Sequence, residues 1–268
     1  MEKIGFIGYG SMGSMIVNGI LSSKVLNPEE VIVATRTESK LADLEKKYPE
    51  VEIVHNNVDL AKKCRKIFIF VDTGDVKGVI EEIKNFLMED IHITYISASL
   101  TLNDIRTVFP GKVSKVIPSI ASKVGEGVSL VCHSQEVNPE DADFVVKIFG
   151  SIGNVKIIDE ADLEVATNLT SGSPAFLAMI LLKFAEAGSK ISGFSVQETE
   201  DMIIKTFYGT SKLLYEKNMG IDDIISRVAT PGGITEEGLN VLERDLPSVF
   251  EELFKTTINK YEVLKKEF

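Results

Sequence analysis

Two short stretches of the 268-residue chain hold residue types and spacings from which chemistry could be built. The first is GYGSMG at 8–13, which sets Gly8, Gly10 and Gly13 in a G-x-G-x-x-G pattern. In such a turn Gly8 permits the sharp bend, Gly10 lets a pyrophosphate approach the backbone, and Gly13 lets helix and strand pack closely. The N–H groups around Ser11 and Met12 then face the phosphates at the positive end of a helix. A glycine-rich turn by itself is a weak signal. Here a strand-like run precedes it and a helical pattern follows it, which is the context a dinucleotide site needs. The end of the second strand-like run selects the cofactor. An NAD site usually places an acid there for the ribose 2′-hydroxyl, but this chain reads Ala34-Thr35-Arg36-Thr37, with no acid before Glu38. Arg36, with the hydroxyls of Thr35 and Thr37, suits a 2′-phosphate. NADP(H) is therefore expected, with NAD(H) as the alternative if Arg36 is only a solvated loop cation.

The second stretch is VATPGGITEEGL at 228–239, where Pro231, Gly232 and Gly233 stand directly before a helical pattern. Helix-breaking residues there free a loop to wrap backbone N–H groups around an anion ahead of the helix, and a small carboxylate is what such a loop can hold. Glycine gives close backbone approach, and Pro231 limits the freedom lost on ordering. A plain helix-start loop with threonine capping is the competing interpretation.

Elsewhere the chemistry-bearing residues are scattered. Cys64 and Cys132 lack metal spacing and lie in apolar or helical patterns, so buried free thiols are expected and no metal site is proposed. His55, His92 and His133 occur singly beside strand-like runs, with no nucleophile or carboxylate positioned by sequence, and are expected to be structural. The net charge of −11 argues against nucleic acid or an anionic membrane as the main partner. The longest apolar run, Phe176 to Leu182, is too short to span a bilayer. No signal-like segment separates the initiator Met from the first strand-like residues, Ile4 to Ile7, so a cytoplasmic protein is expected.

The elements that must position these stretches follow from periodicity. Strands are predicted at 3–8, 31–35, 51–54, 67–71 and 92–97, with helical patterns at 12–23, 38–47, 57–64 and 76–88. Further strands are predicted at 113–118, 127–132 and 154–158, with a helix at 139–149. Such alternation predicts a parallel sheet with helices on both faces, an α/β Rossmann-type domain over residues 1–160. Beyond it the strand signal ends, and helices are predicted at 162–170, 174–191, 195–217, 221–229, 235–245 and 247–265. Residues 161–268 thus read as an all-α domain. Segments such as Phe176 to Phe184 are apolar over much of their surface, which calls for burial by another subunit, so a homo-oligomer built from dimers is expected.

The element order, with IGFIGYGSMG at the front and VATPGGITEEGL at the back, resembles the Δ1-pyrroline-5-carboxylate reductase family over essentially the whole length. The resemblance implies a Rossmann domain followed by a helical dimerisation and substrate domain. It also implies NADPH-dependent reduction of the C=N bond of 1-pyrroline-5-carboxylate to L-proline. It assigns Thr230, Gly233, Ile234 and Thr235 to the carboxylate of this small imino acid, and the Thr235 hydroxyl also to the imine nitrogen, as the catalytic group. Asn57 falls where the family has a cofactor-contacting asparagine, Val71 ends the strand beside the cofactor, and Ala98 follows the fifth strand where the family approaches the nicotinamide.

Three segments depart from the family's usual pattern. V-K-P after the fourth strand is Val71-Asp72-Thr73, M-P-N after the sixth is Ile117-Pro118-Ser119, and L-S-G-S-G-P-A is Leu169-Thr170-Ser171-Gly172-Ser173-Pro174-Ala175. Asp72 reverses a charge near an anionic cofactor. A fold-retaining regulatory relative therefore remains an alternative to a working imine reductase. So does a reductase of another cyclic imino acid or of a 3-hydroxyacid, for which Lys183 would be the acid.

Overall fold

The alternating segments resolve into a single sheet in the computed structural model, which describes residues 2–267. Strands and helices succeed one another as β1 (Lys3–Ile7), α1 (Ser11–Ser23), β2 (Val31–Ala34), α2 (Ala42–Lys47), β3 (Glu52–Val54), α3 (Asn57–Ala61), β4 (Cys64–Ile69), α4 (Val76–Ile83) and β5 (His92–Ile96). There follow α5 (Leu102–Arg106), β6 (Lys112–Ile117), β7 (Gly127–His133), α6 (Pro139–Gly150), β8 (Gly153–Ile157) and α7 (Leu163–Leu169). The last elements are α8 (Ser173–Lys190), α9 (Val196–Tyr215), α10 (Ile221–Val228) and α11 (Ile234–Lys265). The sheet order is β3-β2-β1-β4-β5-β6-β7-β8. The chain winds one way from β1 and then the other way from β4, so β1 and β4 flank the switch point where open sheets of this kind take their ligands.

Period-two alternation decides which core each strand residue enters. Ile4, Phe6, Val31, Val33 and Phe68 face one apolar cluster with Ile16, Ile20, Ile148 and Phe149 of α1 and α6. Ile7, Ile32, Ala34, Ile67 and Ile69 face the other, with Leu60, Ile80 and Ile83 of α3 and α4. Burial on both faces explains why these strands are apolar nearly throughout. The Phe6 and Phe68 rings stack at 5.1 Å between centroids across the β1–β4 pair.

Several expectations need correction. The sheet is not wholly parallel, because β6 and β7 run antiparallel. Residues 118–126 are fewer than the roughly dozen that a parallel crossover requires, so the chain folds straight back through a 3-10 turn at Ile120–Val124 that ends on Gly125 at φ 77°. The predicted helix at 57–64 ends at Ala61, since β4 begins at Cys64. The one predicted at 76–88 is α4 followed by a 3-10 turn at Lys84–Phe86. Helix α5 was not anticipated, although Thr101 and Asp104 form a reciprocal capping box at its start. The helices expected at 235–245 and 247–265 are one 32-residue helix containing Pro247. Proline removes an N–H and crowds the preceding turn. Yet Leu239, Leu242, Leu246, Phe250 and Leu253 keep helical spacing through it, so one continuous apolar stripe outweighs the local penalty.

The chain divides into two compact units, Met1–Ser173 with Ile258–Phe268, and Pro174–Thr257. In the first, an ion pair between Lys265 and Glu164 ties the end of α11 to α7. The second is entirely helical. Ser195 and Glu198 cap α9 reciprocally, and the Thr199 hydroxyl donates to the Ala185 carbonyl at 2.9 Å, linking α9 to α8. Ala185 and Thr199 are the buried residues of this unit among those described, while Met179, Phe184, Ile204 and Tyr208 are each more than half exposed. Within Glu160–Lys190 an 18-residue window reaches a mean hydropathy of 1.4, enough by length and composition alone to cross a membrane.

Candidate active site

The turn after β1 is built by sterics. Gly8 adopts φ 98°, and its N–H donates to the Ala34 carbonyl at 2.8 Å, joining the ends of β1 and β2. A Cβ on Gly8 would lie 2.5 Å from the Phe70 carbonyl oxygen, and one on Gly13 would lie 2.5 Å from the Gly8 carbonyl oxygen. A Cβ on Gly10 would meet nothing within 4 Å. Two glycines are thus required by the protein's own packing, and the middle one leaves an open surface at the start of α1 for something else to approach.

That surface belongs to a cleft of about 370 Å³ at the carboxyl ends of the strands around the switch point. Of the residues expected to hold the cofactor, Gly8, Gly10, Thr35, Arg36, Thr37, Asn57 and Val71 line it together. Four others do not. Ser11 is exposed on the first turn of α1, Met12 packs against the first core cluster, and Gly13 is buried in the helix–strand contact. Ala98 packs beside Ile117, Leu130 and Cys132. The open Gly10 surface, the helix N-terminus behind it and Arg36 form a set that fits a dinucleotide phosphate.

Of the acids opposite, sequence marks Asp72 but neither Asp75 nor Glu82. Asp72, Asp75 and Glu82 line the same cleft, with Lys40 as a further cation. Arg36 Nη2 lies 2.9 Å from Asp75 Oδ2, and Asn57 Nδ2 donates to Glu82 Oε2 at 2.7 Å. Both expected cofactor contacts are therefore engaged by carboxylates of the segment that begins after β4. Only the fold brings residues 36 and 57 against 75 and 82, so no local pattern could have shown the pairing.

In the helical unit, Gly233 N–H donates to the Thr230 carbonyl at 2.8 Å, closing a turn in which Gly232 takes φ 72°. Gly232 N–H donates to Glu236 Oε2 at 2.7 Å, so a carboxylate of the chain's own already sits on one of the loop's donors. Helix α11 begins at Ile234, and Ile234 and Thr235 are exposed on its first turn. Thr230, Gly233, Ile234 and Thr235 thus share one loop and helix start, the arrangement that suits an anion.

The remaining candidates are not among the residues that line the nucleotide cleft. The His92 and His133 rings bracket the Ser114 hydroxyl, each at 2.7 Å, and burial pulls His92 down to about 4. His55 is exposed and does not line the cleft. Burial pushes the Cys64 thiol up to about 12 and Cys132 to about 11, which makes both unreactive. Lys183 is exposed and pairs with Glu186 at 2.9 Å. Two of the segments that depart from the family pattern meet each other, since the buried Ser119 hydroxyl donates to the Thr170 carbonyl at 3.5 Å. No group of His, Cys, Asp and Glu that could hold a metal occurs among the described residues.

Residues 160–264 match a family model described as pyrroline-5-carboxylate reductase dimerisation. Residues 3–97 match one described as NADP oxidoreductase, coenzyme F420-dependent. The chain is similar to pyrroline-5-carboxylate reductase 3 of Bacillus subtilis (strain 168), with 36% identity over 268 residues, which is 100% of this chain and 98% of the relative. It is also similar to the pyrroline-5-carboxylate reductase of Methanobrevibacter smithii, with 34% identity over 90% of this chain and 97% of that one. Its fold is shared with a crystal structure of Plasmodium falciparum pyrroline carboxylate reductase with NADP bound, at a TM-score of 0.83, 24% identity and 98% coverage of both chains. A relationship of this strength, running through the nucleotide turn and the loop at 230–235 alike, shows that the chain belongs to the pyrroline-5-carboxylate reductase family.

Proposed function

We propose that the chain reduces the C=N bond of 1-pyrroline-5-carboxylate to give L-proline, with NADPH as the reductant. The observation that carries this is the full-length relationship to named reductases of that substrate, which takes in both anion-receptive loops. Residues 1–160 serve as the nucleotide-binding part, and residues 161–268 as the helical dimerisation and substrate part. Gly8, Gly10, Ser11, Met12 and Gly13 form the turn that receives the pyrophosphate, and Thr35, Arg36 and Thr37 receive the 2′-phosphate. Asn57, Val71 and Ala98 complete the cofactor contacts. The NADP-bound relative and the NADP oxidoreductase match support the choice of cofactor.

NADPH, when bound, supplies the hydride that the imine carbon accepts, and a proton reaches the nitrogen. The chain's own residues need only align and polarise. The N–H groups of Gly233, Ile234 and Thr235 and the Thr230 hydroxyl hold the substrate carboxylate, and the Thr235 hydroxyl hydrogen-bonds the imine nitrogen. A cyclic imine is basic enough to be protonated from solvent, which accounts for a site with no histidine. The exposed apolar side chains of the helical unit are covered by a second copy of the chain, in a dimer or a ring of dimers, and not by lipid. The cytoplasm is its compartment. Purified protein supplied with NADPH and pyrroline-5-carboxylate should form proline in step with NADPH oxidation. No turnover at saturating cofactor would leave the regulatory alternative standing.

A further inference from the structure

An ion pair with a buried cation holds both ends of the loop that follows β5. Lys115, on β6, is 1% exposed. Its ammonium donates to the Ala98 carbonyl at 3.1 Å and lies 3.2 Å from Glu160 Oε1. Glu160 stands just after β8 and accepts from the Leu102 N–H through its two oxygens, at 2.9 and 3.3 Å. The cation thus fixes the loop where it leaves the strand, and the anion fixes it where α5 begins. Between those points the Tyr95 hydroxyl donates to the Leu100 carbonyl at 3.0 Å, and Leu100 N–H donates to Ser97 Oγ at 3.0 Å. Ser97 Oγ lies 3.2 Å from Thr73 Oγ1. Thr73 sits between Asp72 and Gly74, both of which line the nucleotide cleft.

Stability alone does not explain such a pair. Burial works against the Lys115 charge, and apolar residues of similar volume commonly serve a core as well as a buried ion pair or better. What apolar residues lack is the ability to hold a carbonyl and an N–H in fixed places. A dinucleotide straddles the switch point between β1 and β4, so its second half lies over the carboxyl ends of β4 and the strands beyond it. The loop at 98–102 stands at the carboxyl end of β5, on that side. We propose that Lys115 and Glu160 are positioning residues for hydride transfer. They fix the backbone of 98–102 against which the nicotinamide half of the cofactor is aligned, and they touch neither cofactor nor substrate themselves. This rests on the reductase function proposed above.

Alignment errors on the order of 1 Å can cost a hundredfold in rate. Lys115→Met removes the charge at similar length, and Glu160, which is 29% exposed, retains access to water. Two readouts are expected to change in this variant. Amide hydrogen exchange at 98–102 should quicken about tenfold or more, and the single-turnover hydride-transfer rate should fall about tenfold or more. The NADPH dissociation constant should stay within about threefold, because the turn at 8–13 and Arg36 are untouched. Glu160→Gln keeps an acceptor for Leu102 and should lower the transfer rate about threefold with the NADPH dissociation constant unchanged, which carries the test if Lys115→Met does not fold. A folded variant with unmutated transfer rate overturns the proposal, as does an equal loss in rate and cofactor affinity. If the unmutated protein turns over no substrate, the reductase function fails. Exchange at 98–102 then still decides the clamp, and unchanged exchange in both variants overturns it.

Discussion

Replacing Gly10 by Ala should separate cofactor binding from folding, and replacing Gly13 should not. A methyl group on Gly10 meets no atom within 4 Å, and its φ of −76° and ψ of −163° suit alanine. The smaller unfolded-state entropy of alanine favours folding by about 0.4–1 kcal/mol, and its poorer fit at a helix N-cap offsets this by a similar amount. Stability should therefore change by less than about 1 kcal/mol, a melting shift of at most about 2–4 °C for a chain of this size. The same methyl stands on the surface a pyrophosphate must approach. Losing one charge-assisted hydrogen bond costs about 1.5–3 kcal/mol, so NADPH and NADH should both bind about ten- to a hundredfold more weakly. On Gly13 the methyl would lie 2.5 Å from the Gly8 carbonyl oxygen and 3.1 Å from Phe70 Cβ. Neither can yield without parting α1 from the sheet, so a cost of about 1–3 kcal/mol in stability is expected. Thermal melts and calorimetric titration with both nucleotides measure the contrast. A Gly10→Ala protein that binds NADPH like the unmutated one, or melts as early as Gly13→Ala, would refute the reasoning.

Arg36→Ala should abolish most of the preference for NADPH over NADH while leaving NADH affinity nearly unchanged. Asp75→Asn frees Arg36 from an exposed ion pair worth at most about 1 kcal/mol and should raise that preference by up to about fivefold; titration of both nucleotides decides each case. Thr235→Ala should lower kcat/KM by about ten- to a hundredfold through loss of one hydrogen bond to a charged group, in steady-state assays at saturating NADPH. Stability should fall as pH drops from about 6.5 towards 4, because His92 is kept neutral by burial while the unfolded chain takes up a proton there. The folded value lies below the unfolded one, so this contribution is complete above 6.5 and amounts to on the order of 3 kcal/mol. Denaturant titrations across that range should show a flatter dependence in His92→Gln.

The nucleotide turn was legible because G-x-G-x-x-G is a local demand. Gly8 needs a positive φ, and Gly13 touches Gly8 only five residues away. The central strands were legible because β1, β2 and the second half of β4 are apolar on both faces and bounded by turns. What escaped were features set by distant partners. Nothing near Arg36 in sequence announces Asp75, and nothing near Lys115 announces Glu160, which lies 45 residues away. The reversal of β7 depended on the length of its connection and not on the composition of the strand. Pro247 read as a helix end because the local penalty is visible in sequence, whereas the apolar stripe that carries α11 through it is recognised only along the helix as a whole.

The most direct test of the proposed reaction is isotopic. NADPH deuterated at the transferable nicotinamide hydrogen is incubated with the protein and pyrroline-5-carboxylate, and the proline formed is examined by mass spectrometry and NMR. Direct hydride transfer predicts a single deuterium in each proline, on the carbon that was double-bonded to nitrogen, with none lost to water. Proline without deuterium, or no proline at all from folded and NADPH-saturated protein, would contradict the account.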